Sequence, residues 1–110
     1  MATTTYKILG QAAPSATTET DLYTVPASTQ VIVSTIVVAN RNAADATFRI
    51  SVSAAGAATA NKDYLAYDLT VPGNGQYTAT LGITLGATDK IRVYGSSANL
   101  SFNAFGSELA

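Results

Sequence analysis

The stretch Leu81–Leu109, LGITLGATDKIRVYGSSANLSFNAFGSEL, alternates apolar and polar residues between short turn sequences. Its two clearest runs are Lys90–Tyr94 and Leu100–Phe105, with LGATD before the first and GSSAN between them. These turns contain Gly, Asn and Asp, which accept the backbone angles that tight turns require. Period-two alternation bounded by such turns predicts β-strands, here with Ile91 and Val93 pointing into a core. The stretch therefore predicts an all-β fold.

The same pattern covers the rest of the chain. Further strands are predicted at Tyr6–Leu9, Leu22–Val25, Gln30–Ala39, Ala46–Ser53, Tyr64–Val71 and Tyr77–Leu85. Short strands at roughly ten-residue intervals predict a single antiparallel β-sandwich, jelly-roll or Ig-like. The segment VPGNGQY is the strongest hairpin signal, because Asn74 and Gly75 accept left-handed backbone angles. The longer link SAAGAATANKD is expected to cross between the sheets or to project as a contact loop.

The N-terminal segment differs in composition from the remainder. Residues 1–20 are rich in small polar residues and are predicted to form an extended arm, with residues 21–110 as the sandwich domain. A short strand is expected near Tyr6. Because Tyr6, Ile8 and Leu9 form an apolar cluster, the arm is expected to dock on its own domain or on a neighbouring chain.

The strand predicted at Gln30–Ala39 is apolar on both faces. Regular alternation places Ile32, Ile36 and Val38 on one face and Val33 on the other. A strand of this kind is either covered on both sides or turns its outer face to a partner chain. The predicted interface residues are Tyr6, Ile8, Leu9, Ile32, Ile36 and Val38.

The composition favours self-association. Charged residues make up 12% of the chain and the net charge is −1, whereas about 25% is typical of soluble domains. Copies with so little charge repel one another weakly, so a homo-oligomer is predicted, with a trimer as the expected number. The scattered basic residues do not predict nucleic-acid binding. The longest apolar run, VIVSTIVVA, is too short to predict a membrane span, and no secretory signal pattern is present, so synthesis in a cytoplasm is expected.

Catalysis is not predicted. The chain has neither His nor Cys, which are the commonest general base and the ligands of thiolate metal sites. Asp45, Asp63 and Asp89 lie in turn sequences, where Asp usually caps its own backbone. The enzymatic alternative is an acid–base pair drawn from Asp63, Asp68 or Asp89, but Asp63 and Asp68 fall on opposite faces of a regular strand. No catalytic residue, cofactor or metal is therefore predicted.

Tyrosines offer an alternative function. Tyr64, Tyr67, Tyr77 and Tyr94 lie on predicted strands, and exposed aromatic rings can stack on sugars. Tyr64 and Tyr67 are expected on opposite faces, and tyrosines in β-sandwiches usually pack against their own fold. A carbohydrate-binding module that uses Tyr64, Tyr77 or Tyr94 to bind host glycan is the alternative from another functional class.

Several segments carry a family resemblance. YKILGQAAP, LYTVPASTQVIVSTIVVANR, TFRISV, YLAYD and LGITLGATDKIRVYGSSANLSFNAFGSE together resemble small virion structural proteins of tailed bacteriophages, including those of cyanobacteria. The resemblance extends from about Thr4 to Glu108 and contains no motif of functional residues. It implies a non-enzymatic component of the virion, either a capsid decoration (cement) protein bound to the major capsid protein or an adaptor bound to tail or fibre proteins.

Overall fold

The computed structural model describes residues 3–110, which form nine β-strands in two antiparallel sheets. The strands are β1 (Thr4–Ala12), β2 (Thr20–Thr24), β3 (Gln30–Asn40), β4 (Ala46–Ser53), β5 (Tyr64–Val71), β6 (Gln76–Ala79), β7 (Ile83–Leu85), β8 (Lys90–Gly95) and β9 (Leu100–Leu109). Two single-turn 3-10 helices, Ala54–Gly56 and Asn61–Asp63, lie between β4 and β5.

The strand pairing is nested. The first sheet has the order β1-β9-β3-β6 and the second has the order β2-β8-β4-β5. β7 pairs with Val31–Val33 of β3 and β6 pairs with Ile36–Ala39 of the same strand, so they are two parts of one interrupted strand. The first strand thus pairs with the last, the second with the last but one, and so on inward to β4 with β5. This is the topology of the jelly roll, which confirms the predicted β-sandwich and selects between its two predicted forms.

The core lies between the two sheets. Its largest side chains exposed by less than 2% are Val25, Val31, Val33, Ile36, Val38, Phe48, Ile50, Val71, Ile91, Val93, Leu100 and Phe102. The ring of Phe48, from the second sheet, packs against that of Phe102, from the first, with 6.3 Å between centroids. Ile91 and Val93 are buried as predicted from their alternation with polar residues.

The N-terminal segment is part of the first sheet. β1 is paired with β9 from Thr4 to Ala12, and Leu9 is buried in the core. Gly10 lies so close to the second sheet that a Cβ there would collide with the carbonyl oxygen of Leu22. The segment expected to be an arm is therefore an edge strand of the sandwich, and the boundary expected between residues 20 and 21 is corrected in this respect. Because β1 contributes both to this sheet and to the core, the remaining chain is not expected to fold independently.

Two β-bulges interrupt the alternation of the first sheet. The pairing of β1 with β9 passes from Ile8 to Gly10 and leaves Leu9 as an extra residue. The pairing of β3 with β9 likewise leaves Ser34 as an extra residue. Both shifts occur beside Phe105 of β9. An extra residue moves every later side chain of its strand to the opposite face.

The predicted interface is wrong for three of its six residues, which are buried in the core. Because Ser34 is inserted between them, Ile32 and Ile36 point to opposite faces of β3, with Ile32 exposed and Ile36 buried. Val38 is buried on the same side as Ile36, and Leu9 points inward because it follows the outward-facing Ile8. The three predicted interface residues that belong to the core are Leu9, Ile36 and Val38. The three that are exposed are Tyr6, Ile8 and Ile32.

Three connections also differ from the predictions. VPGNGQY is not a hairpin, because it leads from β5 in the second sheet to β6 in the first, although Asn74 has the expected left-handed angle. The link between β4 and β5 does not cross between sheets, since these strands pair with each other. The strand predicted at Tyr77–Leu85 is interrupted near Gly82, whose φ is +65°.

Candidate interaction surface

The outer face of the first sheet is uncharged. Cross-strand register assigns to it Thr4, Tyr6, Ile8, Gln11, Gln30, Ile32, Thr35, Val37, Ala39, Gln76, Thr78, Thr84, Ser101, Asn103, Phe105, Ser107 and Leu109. None of these residues is charged at neutral pH. We refer to this surface, which draws on five strands, as the uncharged face.

The two charged residues of the first sheet's strands explain this composition. Lys7 in β1 and Glu108 in β9 project from the inner side of the sheet, where the Nζ of Lys7 lies 3.4 Å from Oε1 of Glu108. The hydroxyl of Tyr23, from the second sheet, donates a hydrogen bond to the same carboxylate. Burial, followed by the neighbouring Glu108, raises the pKa of Tyr23 above its usual range. The charges are thus paired at the end of the sandwich interior.

One half of the uncharged face carries an apolar patch. Its large side chains, with their exposed fractions, are Tyr6 (84%), Ile8 (51%), Ile32 (56%), Phe105 (37%) and Leu109 (41%). Burying a large apolar side chain completely contributes about 1.5–3 kcal/mol. These five side chains are only partly buried in the isolated chain. Covering them completely would contribute on the order of 5 kcal/mol of hydrophobic free energy. Contiguous exposed apolar surface is typical of interaction sites, so this patch is the candidate interaction surface.

The patch is concave at its centre. Ser107 pairs with Tyr6 on one side and with Ile32 on the other, so a small side chain lies between two large ones. Along β9 the neighbours on the same face are Phe105 and Leu109. Two shallow cavities, of about 480 and 370 Å³, meet here, and both are lined by Ile32 and Ser107.

The outer face of the second sheet is charged. The carboxylate of Asp21 forms two ion pairs. Its Oδ2 lies 2.7 Å from Nζ of Lys90, and its Oδ1 lies 3.0 Å from Nε of Arg92. The hydrogen bond from Lys90 is the main cause that holds the pKa of Asp21 below its usual value. Arg49 pairs with Asp68 at 2.7 Å, which raises the pKa of the guanidinium. Exposed pairs of this kind contribute at most about 1 kcal/mol each to stability. Because covering these charges would remove them from water, this face favours contact with solvent.

Three tyrosines gather around Arg49 on this second face. Its guanidinium carbon lies 4.2 Å from the ring centre of Tyr67 and 4.3 Å from that of Tyr94. The rings of Tyr64 and Tyr67 meet edge to face, with centroids 4.9 Å apart, so the expectation that they point to opposite faces is wrong. The register shift between Tyr64 and Ala66, which adds one residue to β5, is the cause. Tyr77, in the first sheet, is not part of this group. Arg49 covers one side of the Tyr94 ring, which the carbohydrate-binding alternative would use, and one side of the Tyr67 ring.

Arg92 organises the link between β4 and β5. Its Nη1 donates to Ser53 Oγ at 3.0 Å, to the carbonyl of Ala57 at 2.7 Å and to Thr59 Oγ1 at 3.1 Å, and its Nη2 donates to the carbonyl of Gly56 at 3.2 Å. Alternation with Ile91 and Val93 in the sequence indicates only that Arg92 points outward. No local pattern indicates a partner almost forty positions away.

Replacing Arg92 with methionine is expected to lower the free energy of unfolding by about 2–3 kcal/mol, because bonds from a charged donor contribute about 1.5–3 kcal/mol and Ser53 is buried. Urea denaturation measures the loss, and hydrogen exchange should accelerate in the link. The control is Arg41→Met, which removes a guanidinium with one hydrogen bond, to the carbonyl of Ala98. Equal losses in the two variants would contradict the role of Arg92.

The turn carboxylates cap backbone groups. Carboxylate oxygens of Asp45, Asp63 and Asp89 accept hydrogen bonds from backbone N–H groups of turns at 3.0, 2.9 and 2.8 Å. The ammonium of Lys62 and the N–H of Ala60 hold the pKa of Asp63 below its usual value. The predicted local capping is confirmed for Asp63 and Asp89, whereas Asp45 caps the N–H of Gly73, 28 positions away in another turn. Within residues 3–110 there is no group of three or more His, Cys, Asp or Glu placed to hold a metal ion.

The chain matches no protein-family model, and no curated protein is significantly similar to it. In the part of the chain that the structure describes, no helix is long and apolar enough to cross a membrane. Any functional inference therefore depends on the geometry of the surface and on the resemblance in the sequence.

Proposed function

We propose that this chain is a non-enzymatic structural protein of a tailed-phage virion, and specifically a capsid decoration (cement) protein that binds and stabilises the shell. The single observation that carries the proposal is the uncharged face with its apolar patch. That surface is adapted to contact with other protein, and the segments resembling small virion proteins supply the setting. The proposed partners are further copies of the chain and the major capsid protein.

The distribution of charge supports a role in assembly. The only charged residues in the strands of the first sheet, Lys7 and Glu108, pair with each other, and five residues on the outer face of the second sheet form ion pairs. One side of the slab is thus suited to water and the other to protein. Viral capsid domains are among the proteins that use the jelly roll, but the fold is also used for many other functions and does not by itself assign one.

An adaptor at the tail or fibre is the second placement within the same proposal. It would use the same surface, because both roles require repeated contacts between protein chains. Specific interfaces bury about 1,600 Å² in total, and repetition around a symmetric particle multiplies the effect of modest contacts. Placement on the particle is therefore the observable that separates the two roles.

Gold-labelled antibody against the purified chain tests the proposal on virions of a phage that encodes it. Labels distributed over the head are expected for a decoration protein, whereas labels confined to the tail would assign the adaptor role. Virions from which the gene has been deleted serve as the control. An absence of label on intact and on gently opened particles would refute a virion role. Shell stabilisation is measured by heating both kinds of particle, and those lacking the chain should release DNA at lower temperature.

A further inference from the structure

We infer that the apolar patch is covered, in solution, by the same patch of another copy of this chain. The inference deepens the proposed function and rests on it for the setting of assembly, because it names the partner of the uncharged face. It depends on three properties of that face, which are its charge, its shape and its size.

The first property is charge. In a symmetric contact each surface meets a copy of itself, so any charge near the axis meets a like charge. The strands present no charged residue on the uncharged face, and Lys7, which lines one of its two cavities from the edge strand β1, is paired with Glu108. The outer face of the second sheet would instead bring Arg49, Asp68 and their copies together at the cost of breaking or desolvating their pair. Of the two broad faces, the uncharged face is therefore the one suited to self-association.

The second property is shape. Four large side chains surround Ser107, with Tyr6 and Ile32 beside it on the neighbouring strands, and Phe105 and Leu109 on either side of it along β9. The depression and the side chains that could fill it belong to the same patch. A second copy in rotated orientation can place one of its large side chains over Ser107 while its own depression receives one in return. This self-complementarity distinguishes a copy of the chain from an unrelated partner.

The third property is size. Strands are spaced about 4.8 Å apart and rise about 3.4 Å per residue. The four-strand width of the first sheet and the ten-residue length of β9 give the whole uncharged face a flat area of roughly 600 Å² per copy, or roughly 1,200 Å² for two copies, so the second copy covers the face beyond the apolar patch. Stable specific interfaces begin at about this total. Two copies about a two-fold axis, or three copies with their faces toward a common axis, both bury the patch.

The first experiment measures the oligomeric state of the full chain. Light scattering coupled to gel filtration is expected to give a dimer or trimer at micromolar concentration. Ile32→Glu should raise the dissociation constant at least about 30-fold, the effect of a strong interface residue. Thr70→Glu is the matched control, since Thr70 is an exposed strand residue of the second sheet, and it should leave the oligomer intact.

The second experiment measures accessibility at the centre of the patch. The chain contains no cysteine, so Ser107→Cys and Thr70→Cys each introduce the only thiol of the variant. In both cases the new side chain is close in size to the one that it replaces. In the oligomer, modification of the thiol at position 107 by a water-soluble reagent should be slowed at least tenfold relative to the thiol at position 70. Dilution to the monomer, followed by light scattering, should speed the reaction at position 107 at least tenfold and leave only the smaller difference set by the partial burial of Ser107 in the single chain.

The outcomes separate this inference from the proposed function. A monomeric wild-type chain overturns the inference, and so does an oligomer that survives Ile32→Glu with a freely accessible thiol at position 107. Loss of the oligomer in Ile32→Glu, together with an unchanged circular dichroism spectrum, supports it. An oligomer with the expected properties but no place on the virion upholds the inference and refutes the proposed function. Virion labelling by a monomeric chain does the reverse.

Discussion

Phe102→Ala is expected to lower the free energy of unfolding by about 3–5 kcal/mol, the usual cost of removing a buried aromatic ring. Phe102 is completely buried and packs on Phe48 across the two sheets. The matched variant is Phe105→Ala, three residues along the same strand, where the ring lies on the uncharged face. It should cost about 1 kcal/mol or less. Urea denaturation at a concentration where the chain is monomeric measures both losses.

The pair also tests the direction of side chains in β9. Both substitutions remove a phenyl ring from β9. A difference between the two losses in the free energy of unfolding therefore reflects the different burial of the rings. If both variants lost stability equally, the assignment of the inner and outer faces of this strand would be wrong. At higher protein concentration Phe105→Ala should weaken self-association, whereas Phe102→Ala should act on the monomer.

A chain that begins at Asp21 is expected to show no cooperative unfolding transition. Without β1, the core loses Leu9, whose removal alone is expected to cost about 2–5 kcal/mol. The loss also exposes the edge of β9, with several backbone hydrogen bonds that contribute about 0.5–1.5 kcal/mol each. Since a domain of this size is stable by about 5–15 kcal/mol in total, little stability would remain. Circular dichroism during thermal and urea denaturation measures the result.

Single substitutions within β1 supply the control for this truncation. Leu9→Ala should be strongly destabilising, whereas Ile8→Ala, one residue earlier on the exposed side, should change stability by about 0.5 kcal/mol or less. A truncated chain with the full cooperativity of the wild type would show that β1 is dispensable. It would then restore the earlier expectation of an arm attached to an independent domain.

Local pattern was sufficient to predict most of the strands. Ala46–Ser53 has the predicted bounds, because its alternation of apolar and polar residues is regular over the whole strand. Gln30–Asn40 and Lys90–Gly95 extend only one residue beyond the predictions. The sandwich followed from the number of strands and the spacing of turns. These features depend on near neighbours in the chain, which a sequence displays directly.

Features that depend on distant strands were not predicted. The turn at Asn74 has the expected backbone angle, but local turn chemistry does not determine which sheet receives the next strand. The extra residues Leu9 and Ser34 are visible only when their strands are paired with β9. Regular alternation was therefore continued through Ser34, and Ile36 was assigned to the same face as Ile32.

The candidate surface was predicted in part for the same reason. Tyr6, Ile8 and Ile32 were recognised as apolar residues in need of a partner, and they are exposed. The sequence does not indicate that Ser107 lies at the centre of the patch, because that position is defined by its neighbours on two other strands. The absence of charge from an entire face likewise becomes visible only after five strands have been placed in register.

The two bulges beside Phe105 have a consequence for how the chain tolerates change. In a saturation mutagenesis experiment, tolerant and intolerant positions should alternate along β1, β3 and β9. The parity of that alternation should invert after Ser34 and after Leu9 but should continue unbroken along β9. Deletions at Leu9 or Ser34 should therefore be tolerated poorly. Loss of either residue would turn the later side chains of its strand from the core to the surface, and the reverse.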